Sequence, residues 1–187
     1  MKKIIFVTNN PRKIEQTQAA LEKFGVTVEQ RAVDIMEIQA HDPLDIAKAK
    51  ARAAFDVVGE PIIVGDDSWS IPALKGFPGG YANDINKWFE TEDWLALMKE
   101  KTDRTQYLTE TIVYFDGQTM EIFSEQFTSR FIDEPRGTGH HAVERVTVFE
   151  GSDLTIAEAI DTRVDSRDLS KSAMSKFGEW YSKQNGQ

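Results

Sequence analysis

The feature that most limits how this chain can fold is the spacing of its first three aliphatic runs. Lys3–Val7, Val26–Ala32 and Pro61–Val64 are too short to be buried helices and read as strands. Helical periods fill the gaps between them. After Pro11 or Arg12, Ile14, Thr17, Leu21 and Phe24 recur on one face, and a proline in the first turn loses no helical hydrogen bond. Gly25 supplies the stop. Asp42-Pro43-Leu44-Asp45 starts a second helix with a capping acid, a proline just inside and an acid in the first turn. Ala47, Ala51, Ala54, Phe55 and Val58 carry it towards Gly59, on a face small enough to pack closely on a sheet. Further on, Gln106–Phe115 and Thr119–Phe131 form a hairpin turned at Asp116-Gly117. Val143–Phe149 reads as another strand. The last helix runs from about Ser166 to Tyr181 on Leu169, Ala173, Phe177 and Trp180, and Lys183–Gln187 read as a frayed end. Trp88, Trp94 and Trp180 read as core. Together these elements predict one α/β domain over residues 1–187, with a mixed sheet flanked by helices and two lobes around a central cleft.

The 187 residues, 40% of them hydrophobic, suffice for a substantial core. No apolar run approaches the roughly 20 residues of a membrane span, so no membrane partner is expected. There are no cysteines, which excludes disulfides and thiolate metal sites and suits a cytoplasmic location. The formal net charge of −9 argues against a nucleic-acid partner, which calls for a basic face. A small anionic ligand is still compatible, because a local basic pocket and a divalent cation can sit in an acidic protein.

Three stretches carry candidate chemistry. The first is Val7-Thr8-Asn9-Asn10-Pro11-Arg12-Lys13, at the carboxyl end of the first strand, where open α/β sheets bind ligands. The following helix points its N-terminus at the same spot. Thr8 adds a hydroxyl, Asn10 an amide and Lys13 a cation. This is either an oligophosphate cradle or a capped helix with a solvated lysine, and it lacks the glycines of a Walker loop. The second is Glu37-Ile38-Gln39, where Glu37 is a candidate metal ligand or part of an exposed loop. The third is Val64-Gly65-Asp66-Asp67-Ser68 at the end of a buried strand. Its adjacent carboxylates repel and need a partner such as Mg²⁺ or a lysine. The glycine- and proline-rich loop that follows, Gly76–Gly80, offers backbone N–H groups to phosphate or is simply a tight turn. His140-His141 reads as a solvated pair, because strand neighbours face opposite ways and no Cys or regularly spaced acid completes a site.

Taken together, these stretches resemble the inosine triphosphate pyrophosphatases. The resemblance rests on Thr8, Asn10 and Lys13, on Glu37-Ile38-Gln39, and on Ala73-Leu74-Lys75-Gly76-Phe77-Pro78-Gly79-Gly80-Tyr81. It is extended by Pro135-Arg136-Gly137 and Thr155-Ile156-Ala157-Glu158. It implies an elongated two-lobed fold, a homodimer, Mg²⁺, and hydrolysis of a nucleoside triphosphate to monophosphate and pyrophosphate. It places the phosphates on Thr8, Asn10 and Lys13, and the metal on Glu37 and Asp66. It also implies an inward lysine at Lys48 or Lys50 and a contribution from the Gly79 loop. Asp66 is the first candidate to orient or deprotonate the attacking water, and Asp67 the second.

The departures from the resembled pattern are specific. Aligned back from Leu74 without a gap, the first acid of that pattern falls on Gly65, its Asp on Asp66 and its serine on Asp67. The Phe-Gly-Tyr-Asp-Pro stretch is replaced by Thr138-Gly139-His140-His141-Ala142-Val143-Glu144. The Ser-His-Arg triplet that grips the purine is absent, with Arg167 in its neighbourhood. His141, Glu144 and Arg167 are therefore candidates for altered base contacts. The alternative is a relative that binds a nucleotide or a protein without turning it over.

Overall fold

The computed structural model describes residues 2–165 and 167–184. The opening strand–helix alternation is present as β1 (Lys2–Val7), α1 (Pro11–Glu22), β2 (Val26–Arg31), α2 (Pro43–Val58) and β3 (Ile62–Ile71). A short β4 (Phe77–Gly79), α3 (Ala82–Trp88), α4 (Thr91–Met98), the hairpin β5 (Thr105–Phe115) and β6 (Met120–Phe131), β7 (Thr147–Phe149), α5 (Ile156–Thr162) and α6 (Ala173–Lys183) complete the chain. The strands form one sheet in the order β2-β1-β3-β5-β6-β7, with β4 pairing β3. It is mixed: β1 runs parallel to β2 and β3, while β3–β4 and β6–β7 are antiparallel. Among the described residues no helix is long and apolar enough to cross a membrane.

The chain divides into two compact units. The first holds β1 through Asp67, Glu110–Glu125 and the segment from Leu169 onward; the second holds Ser68–Thr109 and Gln126–Asp168. In the first unit, strand alternation separates two cores. Ile4, Phe6 and Ile63 pack with Leu21 of α1 and Phe177 of α6. Ile5, Val7, Ile62 and Val64 pack on Ala47, Ala51 and Ala54 of α2. The alanines are fully buried, as the small-residue face of α2 requires. That helix is stopped cleanly. Asp42 caps it by accepting the Leu44 N–H at 2.9 Å, and Gly59, at φ 70°, donates its N–H to the Phe55 carbonyl.

The second unit packs around Trp94, which is 1% exposed. Trp88 does not join this core and is 70% exposed. Helix α3 buries Ala82 and Ile85. Trp88 is the last residue of α3, and its neighbour Phe89 packs on this core instead. The strand expected over Val143–Phe149 begins as a 3-10 turn, Ala142–Val146, and only Thr147–Phe149 is extended. The Glu144 carboxylate folds back to accept the N–H groups of His140 (2.6 Å) and His141 (2.9 Å), and the Thr147 hydroxyl donates to the Val143 carbonyl. These bonds close a turn where periodicity alone suggests a strand. The last helix is also shorter at its start than expected: a 3-10 turn at Leu169–Lys171 precedes α6, and Ser172 caps α6 by accepting the Ser175 N–H. The expected start, Ser166, lies outside the described residues. At the other end Lys183 is helical rather than frayed, and residues 185–187 lie outside the description.

Candidate functional site

Chain direction reverses just after β1. The Thr8 N–H donates to the Arg31 carbonyl at 3.2 Å and extends the parallel pairing by one residue. The Asn10 N–H then donates to the Thr8 hydroxyl at 3.1 Å, and the Lys13 N–H donates to the Asn10 side-chain oxygen at 3.4 Å. Thr8 and Asn10 therefore build the turn and cap α1, with Pro11 at its first position. Their capping role also fixes Lys13 one turn inside the helix. Its ammonium lies 2.9 Å from the Asp67 carboxylate.

Asp66 and Asp67 do not stand at a strand end. β3 continues through Trp69 and Ile71, which pair with Gly79 and Phe77 of β4. Consecutive strand residues face opposite sides of a sheet, so the two carboxylates are separated by the backbone. Asp66 shares the face of Ile62 and Val64, which is the α2 side. Asp67 shares the face of Ile63 and Gly65, which is the α1 side, and meets Lys13 there. A Cβ at Gly65 would lie 3.2 Å from both the Phe6 and Ile112 side chains, confirming that this position faces apolar groups.

On the α2 side, the Lys50 ammonium lies 2.6 Å from the Glu37 carboxylate. Lys48 is two residues earlier, about 200° round the helix, while Lys50 shares the inward face of Ala47 and Ala54. Of the two lysines considered, the structure therefore brings Lys50 to the acids. Burial pushes the Asp66 carboxyl above the ordinary aspartate range. Lys50 and Lys13 pull it back, and Asp67 and Glu37 add to the rise. For Lys13, burial works against its charge, but Asp67, Asp66 and Glu110 outweigh it and leave the ammonium above the usual lysine value. Glu110, on β5, gives no local signal in the sequence and joins the cluster only through sheet pairing.

Two lysines thus share one field with four carboxylates: Glu37, Asp66, Asp67 and Glu110. Among the described residues no group of three or more His, Asp or Glu side chains is gathered closely enough to hold a metal ion alone. Glu37 and Asp66, whose charges act on each other, are oxygen donors of the kind that suits Mg²⁺, which typically takes one or two carboxylates and completes its shell with water and substrate phosphates.

The remaining candidates belong to the second unit. Gly79 lies in β4, antiparallel to Trp69, so this part of the glycine-rich loop is a strand. His141 precedes the 3-10 turn and donates its backbone N–H to Glu144. Glu144 is 5% exposed and committed to this turn. Arg167 is forked onto Asp165, with a 2.7 Å ion pair, and its guanidinium carbon lies 5.3 Å and 5.8 Å from the ring centres of Phe127 and Phe149. Asp165 is held below its ordinary range: burial opposes this, but the hydrogen bonds and charge of Arg167 outweigh it.

The Ham1 family model matches residues 4–180. Among the similar proteins, a dITP/XTP pyrophosphatase of Thermococcus kodakarensis is 30% identical over 178 residues, covering 95% of this chain and 96% of the relative. One of Pyrococcus horikoshii is 31% identical over 179 residues, covering 95% and 96%. A solved HAM1 protein structure from Coxiella burnetii superposes with a TM-score of 0.78 at 20% identity, covering 97% of each chain, and so shares the fold.

Proposed function

This chain belongs to the Ham1 family, and we propose that it hydrolyses a non-canonical nucleoside triphosphate to the monophosphate and pyrophosphate, with Mg²⁺ as cofactor and with altered recognition of the base. The observation that carries this reading is the gathering of Asp66 and Asp67 with Lys13 of α1 and Lys50 of α2. On the α1 side, Lys13 and the helix N-terminus supply positive charge for phosphate oxygens. On the α2 side, Asp66 combines burial with a lysine, the setting of a general base.

In this reading Asp66 accepts a proton from the attacking water. The water oxygen bonds to the α-phosphorus as the bond from that phosphorus to the bridging oxygen breaks, and pyrophosphate leaves. A carboxyl above its ordinary range is a stronger base than a solvent-exposed aspartate, and Lys50 favours its ionised form. Glu37 and Asp66 would hold Mg²⁺, which when bound neutralises phosphate charge as a Lewis acid. Lys13 would neutralise the departing phosphates, and Thr8 and Asn10 would set its position. Gly79 and the residues around it remain phosphate candidates.

The base end is where this chain departs from the pattern it resembles. Arg167 is engaged by Asp165 and two aromatic faces, and Glu144 by backbone N–H groups. We read His141 and the Arg167 region as a rewritten base contact. The homodimer and the cytoplasmic location belong to the same proposal. The relatives' names make dITP and XTP the first substrates to try. The test is release of pyrophosphate from a panel of nucleoside triphosphates with Mg²⁺, against Lys13→Ala. No release above that control for any nucleotide overturns the proposal.

The non-catalytic alternative draws on the missing acid at Gly65. That position, however, faces Phe6 and Ile112, on the opposite side of β3 from Asp66 and Lys50. Its loss leaves the Glu37–Lys50–Asp66 grouping intact, and this favours turnover.

A further inference from the structure

Asp67 has no role in the chemistry proposed above, yet its carboxylate lies 2.9 Å from Lys13, the cation assigned to the phosphates. The pair is accessible, with side-chain exposures of 28% for Lys13 and 46% for Asp67, so an incoming anion meets both charges together. Asp66 and Glu110 act on the same ammonium, and Glu37 acts on Asp66. Two positive charges against four negative ones make a poor site for a bare polyanion.

We infer that Asp67 is a specificity-determining counter-charge, which makes the Lys13 cradle reject an uncomplexed polyphosphate and accept one only as its divalent-metal complex. This rests on the reading of the cradle as a triphosphate site. A metal-free triphosphate brings about four negative charges at neutral pH to a cluster that is already net negative, and a divalent cation removes two of them. Asp67 is in contact with Lys13 and has the largest effect of the three carboxylates that act on its ammonium. Asp67 is exposed and paired with Lys13, which sets it apart from the more enclosed Asp66. It can therefore tune anion choice without being the base.

The probe is inorganic tripolyphosphate, titrated calorimetrically into the full chain in chelator and again with Mg²⁺. The wild type is compared with Asp67→Asn, Lys13→Ala and the double variant. Asn keeps the shape and a hydrogen-bond acceptor for Lys13 while removing the charge. A charge a few ångströms from the ligand at a partly exposed site predicts about tenfold tighter metal-free binding for Asp67→Asn, shrinking as salt is added. The Mg²⁺ complex should change less than about threefold, and the gain should vanish in the Lys13→Ala background. Asp67→Ser, run alongside, should move in the same direction, which separates loss of charge from any effect of the amide. Metal-free binding that is unchanged or weaker in Asp67→Asn overturns the inference. If the wild type releases pyrophosphate while binding is unchanged, only the inference falls. If no variant binds tripolyphosphate under either condition and no nucleotide is hydrolysed, the functional proposal falls with it.

Discussion

Gly65→Asp puts back the carboxylate that the resembled pattern carries at this position, and the structure says it should harm the protein. A Cβ at Gly65 lies 3.2 Å from Ile112 Cδ1 and 3.2 Å from Phe6 Cζ, tighter than ordinary contact. Adjusting those side chains costs about 1 kcal/mol. The carboxylate would then sit against Phe6 and Ile112, and leaving it poorly solvated and unpaired costs about 1–3 kcal/mol more. Replacing a strand glycine returns about 0.5 kcal/mol of backbone entropy. The net loss is about 1.5–3.5 kcal/mol, which for a chain of this length lowers the melting temperature by about 3–14 °C. Urea titration of the wild type, Gly65→Ala and Gly65→Asp measures it. The alanine variant carries only the steric part and should fall within about 1 kcal/mol of the wild type. Pyrophosphate release by Gly65→Asp, measured well below its melting temperature, should not rise. An aspartate variant as stable as the wild type, with faster turnover, would mean that a carboxylate at position 65 reaches a cation. The assignment of Gly65 to the apolar face would then be false.

Three further outcomes follow from the same geometry. Lys50→Met should lower kcat by tenfold or more, since it leaves Glu37 and Asp66 without their shared cation, whereas Lys48→Met, about 200° round the helix, should stay within about twofold in the same assay. Gly137→Ala should cost about 2–4 kcal/mol in urea titration, because φ is +76° and the new Cβ would meet the Glu158 backbone nitrogen at 2.6 Å. Burial, helped by Asp116 and Tyr181, pushes the Tyr114 hydroxyl up to about 12. Its folded pKa lies above the unfolded value near 10, so stability should be full below about pH 10 and fall as pH rises through 12, by about 1–2 kcal/mol once solvent screening of the partly exposed hydroxyl is allowed for. Phenolate absorbance and urea midpoints across that range check it, and Tyr114→Phe should remove that part of the loss.

Local pattern carried the first half of the fold. The face of α1, the Asp42 cap and the alanine face of α2 are all short-range signals, and each appears where periodicity places it. The choice between Lys48 and Lys50 stayed open in the sequence; the face of Ala47, Ala51 and Ala54 favours residue 50, and it is Lys50 that meets Glu37. β3 was not read to its end, because Gly65-Asp66-Asp67-Ser68 looks like a turn. Pairing of Trp69 and Ile71 with β4 keeps those polar residues extended, a tertiary effect that overrides local preference. The turn at Ala142–Val146 depends on Glu144 reaching back to two N–H groups, and Glu110 enters the cluster across strands. Neither leaves a mark in local spacing.

Adjacency in sequence was the misleading cue at the acids. Two neighbouring aspartates suggest one repulsive pair in need of one counter-ion. Their place inside a strand instead turns the two side chains to different faces: Asp66 towards the α2 face with Lys50 and Glu37, Asp67 towards the α1 face with Lys13, whose charge acts on both. This arrangement lets one position be partly buried, raised in pKa and suited to taking a proton, while the next stays exposed and bound to a lysine. It also explains why a glycine at position 65 and an aspartate at position 67 do not compensate for one another in any simple way. They share a face, but one lies over Phe6 and Ile112 and the other beside Lys13. A carboxylate moved two residues along β3 travels about 7 Å, from apolar neighbours to a cation, and its effect passes from stability to ligand charge.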